Sequence, residues 1–214
     1  MVRVLLLDLG GTLVESDRPF PHVVDALLAL EQLDGSTGEP LELVLVSDFH
    51  PAVPPTPAGV QARFAEFLAL LDAFGLRHLF EPVDRRVTLS THAGVRKPDR
   101  RVYELALRRL GSQARLADCV CITENAEHVA ACQALGMQAL QFGVDFDDWS
   151  EASGLVRRLI DSTGTEEATF ERSLRDHGQL AEADDDPLPS EATHKEVRDE
   201  RGRTTIRRER FRAI

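Results

Sequence analysis

Two carboxylates, a hydroxyl and an ammonium are the residues of this chain with the clearest chemical potential: Asp8, Glu124, Ser47 and Lys97. Asp8, Ser47 and Glu124 follow apolar runs that read as strands, and Lys97 stands one loop beyond another. A carboxylate such as Asp8 can attack phosphorus and carry the phosphoryl group as an aspartyl-phosphate. A second carboxylate at a neighbouring strand end, Glu124, can share a Mg²⁺ with it. A hydroxyl and an ammonium can hold the equatorial oxygens and neutralise the charge that develops on them. Among the 25 basic residues only Lys97 and Lys195 are lysines, so a Lys at 97 stands out in a chain that otherwise uses Arg.

Each of these residues also has an ordinary reading. An Asp after a strand commonly serves as a turn or cap residue. Strand-end serines are common, and Glu124 is placed to cap the helix that follows it. His50, His92 and His128 all fall on loops at the same predicted edge. There they either form a basic lip, with one of them acting as proton donor, or are simply solvated. Cys119 and Cys121 are two apart on an apolar run, a spacing that fits core packing rather than zinc or redox chemistry.

The elements that must position these residues follow from periodicity. Val2 to Leu7 is continuously apolar, as suits a parallel strand covered on both faces. Leu41 to Val46, Arg86 to Leu89, Cys119 to Ile122 and Gln138 to Phe142 supply four more strands. Between them, apolar residues at helical spacing predict helices over His22 to Leu33, from Thr56-Pro57 to Phe74, from Pro98 to Leu110 and over Ala126 to Leu135. A last helix is expected over Ser150 to Ile160. Thr56 followed by Pro57 is an N-cap with proline in the first turn, and Gly75, Gly111 and Gly136 follow helix ends. The β-α-β alternation predicts a doubly wound, Rossmann-like parallel sheet with helices on both faces and its site outside the carboxyl ends of the strands. Those ends are Asp8, Ser47, Ser90 to His92, and Thr123-Glu124.

With 214 residues, 43% apolar and 29% charged, the chain suits one sizeable core plus an appendage. The expected division is residues 1–162 and 163–214. The second part is acidic from Glu166 to Glu191 and basic from Ala192 to Ile214, and Asp199-Glu200-Arg201-Gly202-Arg203 is a candidate hairpin turn. Its basic end suits an anionic protein partner or a second subunit; a solvated segment neutralised by its acidic neighbour is the competing account. A net charge of −11 argues against general nucleic-acid binding. No apolar run approaches the roughly 20 residues of a membrane span. The three cysteines fit a reducing compartment, so a cytoplasmic location is expected.

In this order the motifs resemble those of the haloacid-dehalogenase-like (HAD-like) hydrolases, within them a capless member of the dehalogenase and phosphoglycolate-phosphatase branch. The strand and turn Leu5-Leu6-Leu7-Asp8-Leu9-Gly10-Gly11-Thr12-Leu13 is similar to the family's first motif, and Leu43-Val44-Leu45-Val46-Ser47-Asp48 to its second. Ser90-Thr91-His92-Ala93-Gly94-Val95-Arg96-Lys97-Pro98-Asp99 is similar to its third. Ile122-Thr123-Glu124-Asn125 with Ala134-Leu135-Gly136-Met137 is similar to its fourth. The likeness covers roughly residues 2–145. It implies Asp8 as nucleophile and Mg²⁺ ligand, the Gly10 carbonyl and Glu124 as further ligands, and Ser47 and Lys97 on the phosphoryl group. Gly11, Thr12, Asp48 and Asn125, with His50, His92 and His128, complete the expected substrate-binding set.

Two departures qualify that expectation. The family's second Asp, which protonates the leaving group in phosphatases, is here Gly10, and a general acid typically contributes about 10²–10⁴-fold in rate. The usual Gly-Asp of the fourth motif is Thr123-Glu124, one methylene longer at the metal, and the later acidic or Asn position is His128. Leu13 to Leu41 has room for one helix and no large cap, which implies an open site suited to a bulky phosphoester. The expected activity is Mg²⁺-dependent hydrolysis of phosphoric monoesters with good leaving groups. A catalytically impaired binding or regulatory module is the alternative, and a dehalogenase a weaker one, since no Arg or aromatic set matches a halide pocket.

Overall fold

The computed structural model describes residues 1–36, 38–182, 189–198 and 204–209. The chain separates into two compact units, Met1–Asp161 and Ser162–Ile214.

In the first unit the five apolar runs become strands β1 (Val4–Leu7), β2 (Glu42–Ser47), β3 (Val87–Leu89), β4 (Cys119–Thr123) and β5 (Gln138–Gln141). They pair in parallel in the order β3-β2-β1-β4-β5. Successive side chains on a strand point to opposite faces, and both faces of this sheet are covered. Leu5, Leu7, Leu43 and Leu45 join one buried cluster with Leu27, Leu30, Phe64, Phe67 and Leu71. Those partners come from helices α1 (Val23–Glu31) and α2 (Pro57–Ala73). Val4, Leu6, Val44 and Val46 join another with Val102, Tyr103, Ala106 and Cys132, from α3 (Arg100–Leu110) and α4 (Ala126–Ala134). This two-sided burial is why the strands read as continuous rather than alternating apolar runs.

The strand order places the topological switch at β1, where the crossovers change direction and an α/β sheet opens a crevice at its carboxyl edge. Register then delivers the residues. Leu7 pairs with Leu45 on one side and Ile122 on the other, so Asp8 and Thr123 emerge side by side. Among the described residues between Leu13 and Leu41 lie the two-residue strands Val14–Glu15 and Arg18–Pro19, paired as a hairpin, and α1.

Several elements differ from expectation. α3 begins at Arg100 rather than Pro98, because the Asp99 side chain caps it by accepting from Arg101 N at 2.9 Å. Ser90–Ala93 is a helical turn instead of a loop. The last helix, α5, runs Ala152–Asp176 rather than stopping at Ile160. No proline follows Ile160 within the helix to remove a backbone donor, and Leu174 beyond it is buried.

In the second unit, β6 (Leu180–Ala181) pairs in parallel with β7 (His194–Arg198), which pairs antiparallel with β8 (Thr204–Arg208). The predicted turn 199–203 lies outside the described residues. Among the described residues no helix is long and apolar enough to cross a membrane.

Candidate active site

Asp8 leaves β1 with its backbone N–H donating to Ile122 O at 3.0 Å, which locks the strand end against β4. Its carboxylate is held at both oxygens. Oδ1 accepts from Leu9 N at 2.8 Å, and Oδ2 accepts from Thr123 Oγ1 at 3.1 Å. Lys97 Nζ lies 2.5 Å from the same Oδ2, with the two side chains only 4% and 10% exposed. Removing two charges from water costs several kcal/mol each unless they are paired and hydrogen-bonded, and here they are both. Lys97 is delivered by its own backbone: its N–H donates to Asp48 Oδ1 at 3.0 Å. The loop carrying it is tied to the end of β2, since Ser90 Oγ accepts from Phe49 N at 3.0 Å and Thr91 Oγ1 donates to His50 O at 2.9 Å.

Glu124 is reached from the other side of Asp8. Thr123 Oγ1 lies 3.1 Å from Asp8 Oδ2 and 3.2 Å from Glu124 Oε2. One hydroxyl has one proton, so it serves one carboxylate at a time and leaves two acidic oxygens facing each other across it. Glu124 Oε2 also accepts from Thr12 Oγ1 at 2.7 Å. The floor under this cluster is closed. The void lined by Asp8, Lys97, Tyr103, Cys121, Thr123 and His128 measures about 10 Å³, at the lower limit for one water.

Of the expected residues, Asp8, Lys97 and Glu124 therefore come together, joined through Thr123. Gly10 is exposed, and a Cβ added to it would meet nothing within 4 Å. Gly11, at φ +70°, lies under the Glu124 side chain, whose Cγ would be 3.0 Å from a Cβ there. Ser47 is buried beside β1, but its hydroxyl donates to Asp48 O at 3.3 Å.

Several of the residues expected on the substrate have partners within the chain. Thr12 is fully buried: its hydroxyl donates to Glu124 Oε2 and accepts from Glu124 N at 3.0 Å. Asp48 holds the Lys97 backbone, and Asn125 caps α4 by accepting from Glu127 N at 2.9 Å and His128 N at 3.2 Å. His92 Nδ1 accepts from Leu89 N at 3.0 Å and its ring meets Phe64 edge-on. Burial, reinforced by the Arg109 charge, pushes its pKa down to about 4, so it is neutral and no part of a basic lip. His50 is exposed, its ring tilted against Phe49. His128 does face the cluster. Burial first, then the Lys97 charge, lowers its pKa, and its Nδ1 is buried with no hydrogen-bond partner among the described residues.

Thr123 is the residue that the sequence reading passed over. Its signal was present, a hydroxyl where the family pattern has glycine, but it registered only as a departure. The cysteines are free and buried, and burial raises the Cys119 thiol to about 12, as for an inert core group.

The two carboxylates supply oxygens, the hard ligands that Mg²⁺ prefers. Asp8 and Glu124 face each other across the Thr123 hydroxyl, and the one ammonium, Lys97, contacts Asp8, so the two carboxylates keep one negative charge uncompensated. A pair of carboxylates with that charge fits a divalent cation. Among the described residues there is no group of three or more His, Cys, Asp or Glu side chains placed to hold a metal by themselves.

No protein-family model matches the chain, and no curated protein does. Among solved structures, the chain is similar to L-2-haloacid dehalogenase from Xanthobacter autotrophicus with chloropropionic acid covalently bound. The identity is 15% over 79% of this chain and 88% of that one, with a TM-score of 0.47. A HAD family hydrolase from Deinococcus radiodurans R1, with bound phosphate and sodium, is 19% identical over 64% of this chain and 79% of that one, with a TM-score of 0.42. An uncharacterized protein from Corynebacterium glutamicum is 17% identical over 75% and 96% of the two chains, with a TM-score of 0.44.

Proposed function

We propose that this chain is a HAD-type hydrolase that cleaves phosphoric monoesters through an aspartyl-phosphate on Asp8. The observation that carries this reading is the buried contact of Lys97 Nζ with Asp8 Oδ2, 2.5 Å, at the carboxyl end of the central strand. A structural ion pair needs no such address, whereas a nucleophile does. In the first step an Asp8 oxygen forms a bond to phosphorus as the ester P–O bond breaks, and the leaving oxygen takes that electron pair. Lys97 balances the charge on the carboxylate and on the transferring group. Water then attacks phosphorus as the bond between phosphorus and the Asp8 oxygen breaks; the electron pair returns to the carboxylate and the water's proton leaves on the inorganic phosphate. Mg²⁺, held by Asp8, Glu124 and the Gly10 carbonyl, would supply charge neutralisation at the phosphoryl oxygens.

Gly10 gives the leaving group no proton. The reading therefore favours esters that depart as stable anions, aryl or acyl phosphates. The reduced, buried cysteines support a cytoplasmic setting. The test is turnover of para-nitrophenyl phosphate with Mg²⁺ by wild type and Asp8→Asn. Wild type should be faster by orders of magnitude, and equal rates would refute the reading.

A second reading, a module that binds phosphorylated ligands without turnover, draws on the retention of Glu124 Oε2 by Thr12 and Thr123. Formation of a beryllofluoride adduct on Asp8 with Mg²⁺ would eliminate it.

A further inference from the structure

Beside the Asp8 site a cleft of about 470 Å³ opens between the proline-rich segment after β2, the start of α2 and the loop leading to Lys97. Its size falls within the roughly 300–1,000 Å³ of small-molecule sites. Phe49, Pro51, Pro55, Val60 and Val95 give it stiff apolar walls. Two of its walls continue directly into the catalytic cluster. Phe49 follows Asp48, whose carboxylate holds the Lys97 backbone, and Arg96 precedes Lys97. Consecutive Cα atoms are about 3.8 Å apart, so each of these walls is one residue from the machinery around Asp8.

The polar groups of the cleft are few, and two are already engaged. Ser90 Oγ accepts from Phe49 N and donates to Phe49 O, at 3.0 and 3.3 Å, and Thr91 Oγ1 donates to His50 O. Arg96 is different: it is exposed, and its guanidinium has no partner among the described residues. Flat apolar walls favour an aromatic ring, and an unpaired guanidinium favours a carboxylate gripped by two N–H donors.

We infer that this cleft is the leaving-group pocket of the Asp8 site, and that it takes an aryl phosphate whose ring carries a carboxylate facing Arg96. The inference rests on the hydrolase reading and adds a substrate class to it. It also agrees with an independent feature, since an aryl oxide can depart without the proton that Gly10 cannot give.

The experiment compares 4-carboxyphenyl phosphate, phenyl phosphate and acetyl phosphate as substrates of wild type, Val60→Trp and Arg96→Gln. Filling the cleft with Val60→Trp should lower the kcat/KM ratio of 4-carboxyphenyl to acetyl phosphate by about tenfold or more. Arg96→Gln should lower the ratio of 4-carboxyphenyl to phenyl phosphate by about tenfold, the loss of one charge-assisted pair. Asp8-dependent turnover with both ratios within twofold of wild type would overturn the cleft assignment and leave the hydrolase reading standing. If no substrate turns over, the hydrolase reading falls, and calorimetric binding of 4-carboxyphenyl phosphate decides the cleft alone. Binding weakened about tenfold in both variants would support it; no binding, or equal binding, would overturn it.

Discussion

Glu124 and Thr12 lock each other in place: Thr12 Oγ1 donates to Glu124 Oε2 at 2.7 Å and accepts from Glu124 N at 3.0 Å. The pair joins the turn after β1 to the turn after β4, the two segments that must stay in register for Asp8 to face a second carboxylate. Trp149 Nε1 secures the same point by donating to Thr12 O at 2.9 Å.

Replacing Thr12 by Val keeps the volume and removes both side-chain bonds. The Glu124 N–H and one carboxylate oxygen then lose a buried partner, at a cost of about 1–3 kcal/mol. Denaturant unfolding should show that loss for Thr12→Val and little of it for Thr12→Ser, which keeps the hydroxyl. Equal midpoints for Val and wild type would show that the lock holds nothing.

Gly10→Asp restores a proton donor where the backbone has space for it. A Cβ there meets nothing within 4 Å, and Gly10 is not among the residues with positive φ. The variant should gain up to about 10²–10⁴-fold in kcat/KM on an alkyl phosphate, whose leaving group needs the proton. The gain should be far smaller on para-nitrophenyl phosphate. Steady-state assays on both substrates check this, and an equal gain on the two would mean that position 10 acts by some other route.

The pattern of strands was legible because parallel strands buried on both faces leave uninterrupted apolar runs, and Val4–Leu7 and Leu43–Val46 are such runs. Asp8 and Glu124 could be picked out because each sits just past a strand whose end periodicity fixes, and Lys97, a loop beyond β3, because lysine is rare in this chain. What the side chains do there was not legible. Glu124 and Thr12 are 112 residues apart, and nothing local says that the carboxylate turns toward that hydroxyl. His92 read as a loop histidine because the Ser90–Ala93 turn draws on distant partners, packing on α2 and α3 and bonding to Phe49 and His50, rather than on local propensity. α5 overran its predicted end because the residues after Ile160 include no proline that would have stopped it.

The Asp8–Lys97 pair should behave as one unit in stability measurements. With side chains 4% and 10% exposed, removing one partner leaves the other charge buried. Lys97→Met should therefore cost about 3–5 kcal/mol. Asp8→Asn/Lys97→Met removes both charges, so it should cost less than the sum of the two single substitutions, by about 0.5–3 kcal/mol. A double-mutant cycle by urea unfolding measures this. Strict additivity would mean that the two groups do not share their charge in solution.

The pH dependence of stability should carry a signature of His92. In the folded protein burial, then the Arg109 charge, lowers its pKa from 6.5 to about 4. The unfolded chain thus binds a proton that the folded protein refuses throughout that interval. Stability that is fully present above pH 6.5 is lost as pH falls, and the loss from this residue is complete near pH 4. The local geometry gives the reason: Nδ1 accepts from Leu89 N, and a protonated Nδ1 becomes a donor facing another donor. His92→Gln removes the titration and keeps an acceptor within reach. Its unfolding midpoint should fall less steeply between pH 6.5 and 4 than that of wild type, while contributions from His128 and His194, also lowered by burial, are common to both proteins and cancel. Superimposable pH profiles would show that His92 takes up its proton in the folded protein without cost, despite its burial and its bond from Leu89 N.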